Sequence, residues 1–327
     1  MNASRFRGTL LGLACGDALG APAQHLSGEE VRRTWGILQD MVGTDRAAAG
    51  EWSSRSITVF AAVQGILSDP YDPVRGIGTR LLRVAEGRAD LDKTTRAALR
   101  GYHGDWPRAA KATPLALGGQ GTGSGSLGRV VAVSLAYGET ERMLSSAARV
   151  SAITHWDTAV ESCCGALALC LHSALRGRDA RQALRTASAR ARAWASSRNP
   201  SEDTPGCQPL RQSLWLPLSR LADISYRDLL PSGAAASASD CLLSALWCWL
   251  HGDNAEETIV LAANLGGDAA TVASLAGALA GATYGAESLP ERWLSVLMHR
   301  RELERAAEQL FALRCFLNPV QQAAESA

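Results

Sequence analysis

The sequence predicts a compact, single-domain, all-α protein that takes in residues 1–327. Apolar residues recur at the i, i+3, i+4 and i+7 spacing of helices, and the alternating β-branched runs that indicate strands are almost absent. Segment 273–281 is rich in Ala, Gly and Ser, small residues that let neighbouring helices approach closely. The hydrophobic fraction of 46% and the charged fraction of 20% are typical of a folded globular chain.

Ten segments carry the helical spacing and are predicted, in chain order, to be helices: 5–19, 57–67, 74–88, 128–138, 140–152, 158–176, 180–196, 240–251, 255–263 and 271–284. Stretches rich in Pro, Gly, Ser or charged residues predict breaks between them: 40–50, 101–128, 197–208 and 230–238. No fixed-period repeat is visible, and none of the breaks resembles a long disordered linker. We therefore assign all of these helices to one domain.

The charge balance and the apolar runs exclude several classes of protein. A net charge of +1 argues against nucleic acid as the main partner, because phosphate-reading surfaces usually carry a basic excess. No apolar run approaches the roughly 20 residues that a membrane span requires. Segment 9–15 follows Arg5 and Arg7 as in a secretion signal, but Gly12 interrupts it and Asp17 ends it. We expect a cytoplasmic protein without a membrane or nucleic-acid partner.

The eight cysteines are scattered, with no CxxC pair and no Cys/His cluster at zinc spacing. Most fall in predicted helices rich in Ala and Leu, where a reduced cysteine packs as a small hydrophobic residue. The expected state is core thiols in a reducing compartment.

Four stretches place Gly, Asp, Ser or Thr at predicted helix starts: 16–24, 50–56, 121–129 and 264–271. Helix starts bind anions because their first backbone N–H groups are free and the positive end of the helix dipole lies there. One glycine-rich cap is a common structural device. Four of them, together with Thr-His-Trp-Asp at 154–157, form a specific pattern.

This pattern resembles the ADP-ribosylglycohydrolase family, in order from the first helix to about residue 285. The matching residues are Gly16, Asp17, Leu19 and Gly20, then Gly123, Gly125 and Arg129, then Thr154, His155 and Asp157, and finally Gly266, Gly267, Asp268 and Thr271. The resemblance implies an all-α fold of the orthogonal helical bundle type, a phosphate-binding loop around residues 123–129, and hydrolysis of the bond between ADP-ribose and a side chain or small molecule. It also implies two magnesium ions.

The sequence departs from the family pattern where the resemblance places the magnesium ligands. The family's T-D-D-T stretch is Ser-Ser-Arg-Ser at 53–56, the second acid of the last motif is Ala270, and the Glu that closes the first motif is Gln24. Of five carboxylates only Asp268 remains, too few for two ions that prefer carboxylate oxygens. We expect no metal and no cofactor.

Arg55 places a positive charge where the ions would lie. A guanidinium about 4 Å from a divalent ion costs about 8 kcal/mol at an effective dielectric near 20, whereas the same distance from Asp268 gains about 4 kcal/mol before desolvation. The sequence therefore predicts an Arg55–Asp268 ion pair, with Arg55 as a fixed cation that replaces the metals. The alternative is that Arg55 points to solvent.

The motifs also supply the candidate site residues. The candidate catalytic carboxylates are Asp268, Asp157 and Glu51. The candidate substrate-binding residues are Arg55, Gly121, Gly123, Ser124, Gly125, Ser126, Arg129, His155, Trp156, Gln24, Ser53, Ser54, Gly267 and Thr271. For His155 and Trp156 the structural alternatives are a helix cap and core packing. The family's Gly-Tyr pair on the adenine side falls at Ala236 and Ser237, which favours a smaller or differently shaped ligand.

Two functions fit these observations. One is a divergent hydrolase that cleaves a ribosyl bond of an ADP-ribose-, NAD- or nucleotide-derived substrate without magnesium, with a carboxylate stabilising an oxocarbenium-like state. The other is a catalytically inactive protein that binds an ADP-ribose-like ligand or a protein partner. In both cases the partner we expect first is a small nucleotide-like molecule. The expected assembly is a monomer or a small homo-oligomer.

Overall fold

The computed structural model describes residues 2–45, 47–88, 90–118, 123–198, 214–230, 235 and 237–318. Helices form almost all of its regular structure, and within these ranges β-structure is limited to isolated bridges. The α-helices are α1 Ala3–Gly20, α2 Gly28–Trp35, α3 Ser54–Ser68, α4 Pro73–Gly87, α5 Lys93–Arg100, α6 Trp106–Ala116, α7 Leu127–Ala136, α8 Thr140–Ser151, α9 Thr158–Leu175, α10 Ala180–Arg198, α11 Leu216–Arg220, α12 Tyr226–Leu229, α13 Ala238–His251, α14 Ala255–Ala263, α15 Ala269–Tyr284, α16 Glu291–Leu294 and α17 Arg300–Leu317. The predicted all-α class is confirmed.

The ten predicted helices all form, and several begin earlier than their apolar spacing indicated because polar residues cap them. α3 begins at Ser54, where the Ser53 hydroxyl accepts the N–H of Arg55. α13 begins at Ala238 after a capping box in which Ser237 and Asp240 satisfy each other's backbone N–H groups. Caps of this kind stabilise the first turn, so these two helices begin three and two residues before their predicted starts.

One predicted break was wrong, and one long helix was not predicted. The stretch 101–128 contains α6, which starts after the Asp105 cap and accommodates Pro114 near its C-terminal end. Pro114 lacks the N–H that would bond the carbonyl of Ala110, and the helix ends two residues later at Ala116. α17 buries Leu303 and Leu310 and presents its charged residues to solvent. Beyond Arg198, the predicted break at 197–208 lies outside the described residues.

α1 and α15 cross antiparallel with their backbones in contact. Along α1, Gly8, Gly12 and Gly16 face Gly281, Gly277 and Ala273 of α15. A Cβ on Gly12 would lie 2.9 Å from the carbonyl carbon of Gly277, and a Cβ on Gly277 would lie 2.6 Å from that of Gly12. The close approach predicted from the small residues of 273–281 is present, and it places the last turn of α1 beside the first turn of α15.

α9 lies against α7, α8 and α10. By length and composition α9 could cross a membrane, but 78% of it is buried inside the protein, as expected for a core helix. The buried apolar residues form a cluster that runs from Phe6 of α1 to Leu310 of α17. The cysteines of the described ranges are free thiols, buried except for the partly exposed Cys315, while Cys207 lies outside those ranges.

We expect Gly12→Ala to destabilise the protein by about 1–3 kcal/mol, because its methyl group would overlap the α15 backbone and force the two helices apart. The measurement is the free energy of unfolding from urea titration. Gly87→Ala is the matched control: it also adds a methyl group to a helical glycine, but nothing lies within 4 Å of that position. Equal stability of Gly12→Ala and wild type would contradict the backbone contact.

Candidate functional site

A glycine turn fixes Asp268 at the start of α15. Gly266 and Gly267 have φ of 79° and 68°, the left-handed region that glycine adopts without strain. The turn is tied to the rest of the protein by backbone hydrogen bonds from Gly267 N–H to Leu26 O at 2.7 Å and from Asp268 N–H to Ala235 O at 3.0 Å. The Asp268 side chain does not cap its own helix, so both carboxylate oxygens are available to other groups.

The Asp268 carboxylate collects donors from four separate parts of the chain. Oδ1 accepts from Gln24 Nε2 at 2.8 Å and from Arg55 Nη2 at 2.9 Å. Oδ2 accepts from Ser124 Oγ at 2.9 Å and lies 3.6 Å from the Cys241 thiol. Burial alone would raise the pKa of Asp268, but Arg55 and the hydrogen bonds outweigh burial and lower it. Asp268 is therefore an ionised, largely enclosed carboxylate at neutral pH.

Arg55 is fixed by three contacts and points into the site. Its Nε donates to Thr271 Oγ1 at 2.7 Å, its Nη2 donates to Asp268, and its Nη1 lies 3.5 Å from Ser53 Oγ. Burial would lower the pKa of Arg55, but the charges of Asp268 and Asp17 outweigh that effect and raise it. The predicted Arg55–Asp268 ion pair is present, with side chains that are 29% and 18% exposed.

Two carboxylates other than Asp268 hold the first turn of α3. Asp17, which is fully buried, accepts the backbone N–H and the hydroxyl of both Ser53 and Ser56 at 2.6–3.2 Å. Asp90 accepts the N–H of Ser54 through its side chain and the Ser54 hydroxyl through its backbone carbonyl, both at 2.8 Å. A carboxylate near a helix start is stabilised by the positive end of the helix dipole. The hydroxyl and N–H groups of Ser53, Ser54 and Ser56 are thus taken up by hydrogen bonds that hold the first turn of α3.

The glycine-rich loop before α7 packs on the start of α5. A Cβ on Gly125 would lie 2.7 Å from Asp92 Cγ, and one on Gly123 would lie 3.2 Å from Thr94 Oγ1. Ser126 is fully buried and its hydroxyl accepts a hydrogen bond from that of Ser151 at 3.0 Å, so the surface of the loop is formed by residues 123–125. Gly121, the first loop residue predicted to bind substrate, lies outside the described residues.

Arg129 and His155 form a buried pair beneath this loop. Arg129 Nη1 donates to Gly125 O at 2.9 Å, and its Nη2 contacts Thr154 Oγ1. Thr154 Oγ1 also hydrogen-bonds His155 Nδ1 at 2.7 Å, while His155 Nε2 is buried and has no hydrogen-bond partner among the residues that the structure describes. Burial lowers the pKa of His155 to about 4, so its imidazole is neutral at pH 7.

Asp157, Trp156 and Glu51 lie apart from this network among the described contacts. Asp157 Oδ1 caps α9 through Val160 N–H at 2.9 Å, and Glu51 Oε2 accepts the N–H of Ala48 at 3.0 Å. Trp156 is 46% exposed and lies under the ammonium group of Lys111. Asp157 and Trp156 line a groove of about 950 Å³ between α4, α6, α8 and α9, and His155 lines the same groove, which therefore adjoins the buried pair beneath the loop. Asp268 is the candidate carboxylate that lies among Gln24, Arg55 and Ser124, whereas Asp157 lies in the groove with His155 and Trp156.

The sequence did not identify Asp90 and Asp92, which the structure places at the site. The sequence around Asp92 does predict a helix cap, because an Asp commonly precedes the first turn of a helix. In the structure Asp92 accepts the N–H of Thr95 at 2.8 Å. Its contact with the glycine loop depends on the tertiary fold and has no sequence signal.

The ADP-ribosylglycohydrolase family profile matches residues 2–318, and the chain belongs to this family. An ADP-ribosylarginine hydrolase of Pseudomonas putida is 30% identical, over 94% of this chain and 78% of that protein. The ADP-ribosyl-[dinitrogen reductase] glycohydrolase of Rhodospirillum rubrum is 26% identical, over 94% and 96%. A solved structure described as an ADP-ribosylglycohydrolase-related protein complex superposes with a TM-score of 0.75 at 30% identity, covering 95% of this chain and 98% of that one.

Arg55→Met should lower the free energy of unfolding by about 2–3 kcal/mol at pH 7, because it leaves the Asp268 carboxylate enclosed without its cation. The folded pKa of Asp268 is lowered, so this stabilisation is complete above the unfolded pKa of about 3.9 and is lost as pH falls through the folded value. Urea titrations at several pH values measure the difference in the free energy of unfolding between variant and wild type. This difference should be constant from about pH 5 to pH 8 and should become smaller below about pH 4.

The control for this variant is Arg149→Met, which breaks an ion pair with Asp72 whose side chains are 53% and 50% exposed. Exposed pairs contribute less than about 1 kcal/mol, so this loss should be small. If both variants lose the same free energy of unfolding, the Arg55–Asp268 pair does not stabilise the site more than an exposed pair does.

Proposed function

We propose that this member of the ADP-ribosylglycohydrolase family hydrolyses a ribosyl glycosidic bond without the dinuclear magnesium centre that the family resemblance implies. Family membership supports action on ADP-ribosylated or related substrates, in line with the names of its relatives. The observation that carries the metal-free part is the ion pair between Arg55 Nη2 and Asp268 Oδ1 at 2.9 Å.

The donor set does not fit magnesium. Mg²⁺ requires near-octahedral oxygen ligands anchored by carboxylates. At the family's ligand positions this chain offers one carboxylate, Asp268, and each of its oxygens already faces two donor groups. Ala270 has no donor side chain, and Arg55 brings a positive charge to the same place. Among the residues that the structure describes, no group of three or more His, Cys, Asp or Glu is arranged to hold a metal ion.

The remaining groups suit hydrolysis of a bond with a good leaving group. The N-glycosidic bond breaks with its electron pair going to the leaving base, a water oxygen bonds to the anomeric carbon, and the water releases one proton to solvent. The transition state resembles an oxocarbenium ion, whose positive charge the ionised Asp268 carboxylate would stabilise. A pyridinium leaving group departs as a neutral base and needs no general acid.

A binding protein without catalysis is the second candidate. The observation in its favour is that the Asp268 carboxylate already accepts hydrogen bonds from Gln24, Arg55 and Ser124. A carboxylate with these partners is less available to activate water. Such a protein would retain the glycine loop and its buried supports Arg129 and His155 as a ligand pocket.

We expect turnover of NAD, nicotinamide riboside or an ADP-ribosylated arginine peptide that is equal in EDTA and in magnesium. Release of the base or of arginine is followed by chromatography. Asp268→Asn should lower kcat at least about 100-fold, because it removes the charge that stabilises the transition state. Asp40→Asn, which changes an exposed carboxylate with 58% of its side chain accessible, should leave kcat unchanged.

Turnover abolished by EDTA would contradict the metal-free proposal. No turnover of any of the three substrates, with a rise in Tm when ADP-ribose is added, would instead favour the binding protein.

Restoring the family's acids should create a magnesium site. The triple variant Ser54→Asp, Arg55→Asp and Ala270→Asp introduces three carboxylates at the family's ligand positions, and we expect magnesium binding by calorimetry and a rise in Tm with added magnesium. The wild-type chain should show neither effect at the same concentrations. A comparable rise in Tm for the wild-type chain would mean that the Asp268 site accepts the ion as it stands.

A further inference from the structure

Helix α10 and the turn before it carry a concentration of positive charge. Residues 176–198 contain seven arginines and one acidic residue, Asp179. The whole chain has 33 basic and 32 acidic residues, so the remainder has 26 basic and 31 acidic ones. The net charge of +1, on which the expectation of no nucleic-acid partner rests, is therefore an average over one basic helix and an acidic remainder.

The arginines lie on the solvent side of α10. The inner face packs on α9 through small apolar residues, which are Ala183, Leu184, Ala187, Ala191 and Ala195. All seven arginines are exposed: Arg176, Arg178, Arg181, Arg185, Arg190, Arg192 and Arg198. Arg181 and Arg185 are four residues apart, so they share one face of the first two turns and lie about 6 Å apart along the axis.

The arginines at the start of α10 are not neutralised by neighbouring carboxylates. Arg181 and Arg185 have no ion-pair partner among the residues that the structure describes. Arg178 donates to the hydroxyl of Thr186 at 3.2 Å, which is a neutral acceptor. Asp179 caps the helix by accepting a backbone N–H at 2.9 Å. These guanidinium groups therefore remain available to an anion from outside the chain.

This arrangement is unfavourable for α10 itself. Its first turn contains Arg181 and no acidic residue, although the positive end of the helix dipole lies there. Like charges at i and i+4 also destabilise a helix. Burial lowers the pKa of His172 on α9, and the charges of four arginines lower it further, to about 3. These are Arg314, Arg176, Arg190 and Arg178. A bound polyanion would relieve the repulsion between the exposed arginines.

The composition of this face favours one kind of polyanion. Between the arginines, the outward positions of α10 are Gln, Thr, Ser and Ala, and its one aromatic residue, Trp194, is half-buried against Gly165. Protein interfaces have an apolar core with aromatic anchors, membrane-surface helices insert an apolar face, and single-stranded nucleic acids stack their bases on aromatic rings. The backbone of a duplex requires positive charge alone.

We propose that the outward face of α10, centred on Arg181 and Arg185, is a docking surface for the phosphate backbone of duplex DNA. It binds through charge and without regard to base sequence, so its affinity falls steeply with salt. The surface is independent of the proposed hydrolysis, because the described hydrogen-bond partners of Asp268 come from other parts of the chain.

Fluorescence anisotropy with the full-length chain and a labelled DNA duplex of arbitrary sequence tests the proposal, over salt concentrations from about 50 mM upward. The double variant Arg181→Gln, Arg185→Gln should raise Kd at least about tenfold. It should also reduce the slope of log K against log salt by about 2, because two phosphate contacts are lost. Glutamine is a good helix former, so α10 is retained. The double variant Arg181→Lys, Arg185→Lys keeps both charges and should keep the wild-type slope.

The matched control is the double variant Arg301→Gln, Arg305→Gln. These arginines are also exposed and four residues apart on one helix, but they lie on α17 among Glu302, Glu304 and Glu308. Their loss should leave Kd and the salt slope unchanged. Absence of DNA binding by the wild-type chain at about 50 mM salt overturns the proposal, as does equal weakening by the two glutamine variants. Tighter binding of a labelled polyglutamate peptide or of single-stranded RNA than of the duplex also overturns it.

Discussion

The backbone contact between α1 and α15 is the constraint on which the site depends. Because Gly12 and Gly277 bring the two helices together without side chains between them, the last turn of α1 lies beside the first turn of α15. Asp17 on α1 then reaches the start of α3, and Asp268 stands at the start of α15. Arg55 in the first turn of α3 joins these two ends. A wider crossing would separate the carboxylates and leave Arg55 without its partner.

The three carboxylates around α3 have different kinds of partners. Asp17 and Asp90 accept hydrogen bonds from the backbone N–H groups and hydroxyls of the serines in the first turn of α3. Asp268 is the one whose partners are all side chains, drawn from separate segments. A fixed guanidinium among them lets the site be complete before any ligand arrives, whereas a metal-held site is complete only after the ions bind.

The sequence predicted what depends on local pattern and on charge complementarity. The helical segments, the close approach at 273–281 and the Arg55–Asp268 pair all follow from spacing or from opposite charges at family positions. α17 was not predicted, although its buried residues Leu303, Ala306 and Leu310 follow the helical spacing. α6 was missed because the stretch 101–128 is rich in the Pro, Gly and Ser that usually mark a break. The place of Asp92 could not be predicted, since only the folded chain brings α5 under the glycine loop.

The surroundings of Asp268 limit what it can do chemically. A carboxylate whose pKa is lowered by Arg55 and by several hydrogen bonds is a weak base and a weak nucleophile, so it abstracts a proton poorly. Its negative charge is nevertheless fixed in position, and a fixed charge stabilises a developing cation without reorganisation. That contribution suffices only where the leaving group departs unaided, as a pyridinium base does. Under the proposed metal-free mechanism, the electrostatics of Asp268 therefore suit a riboside with a cationic base best.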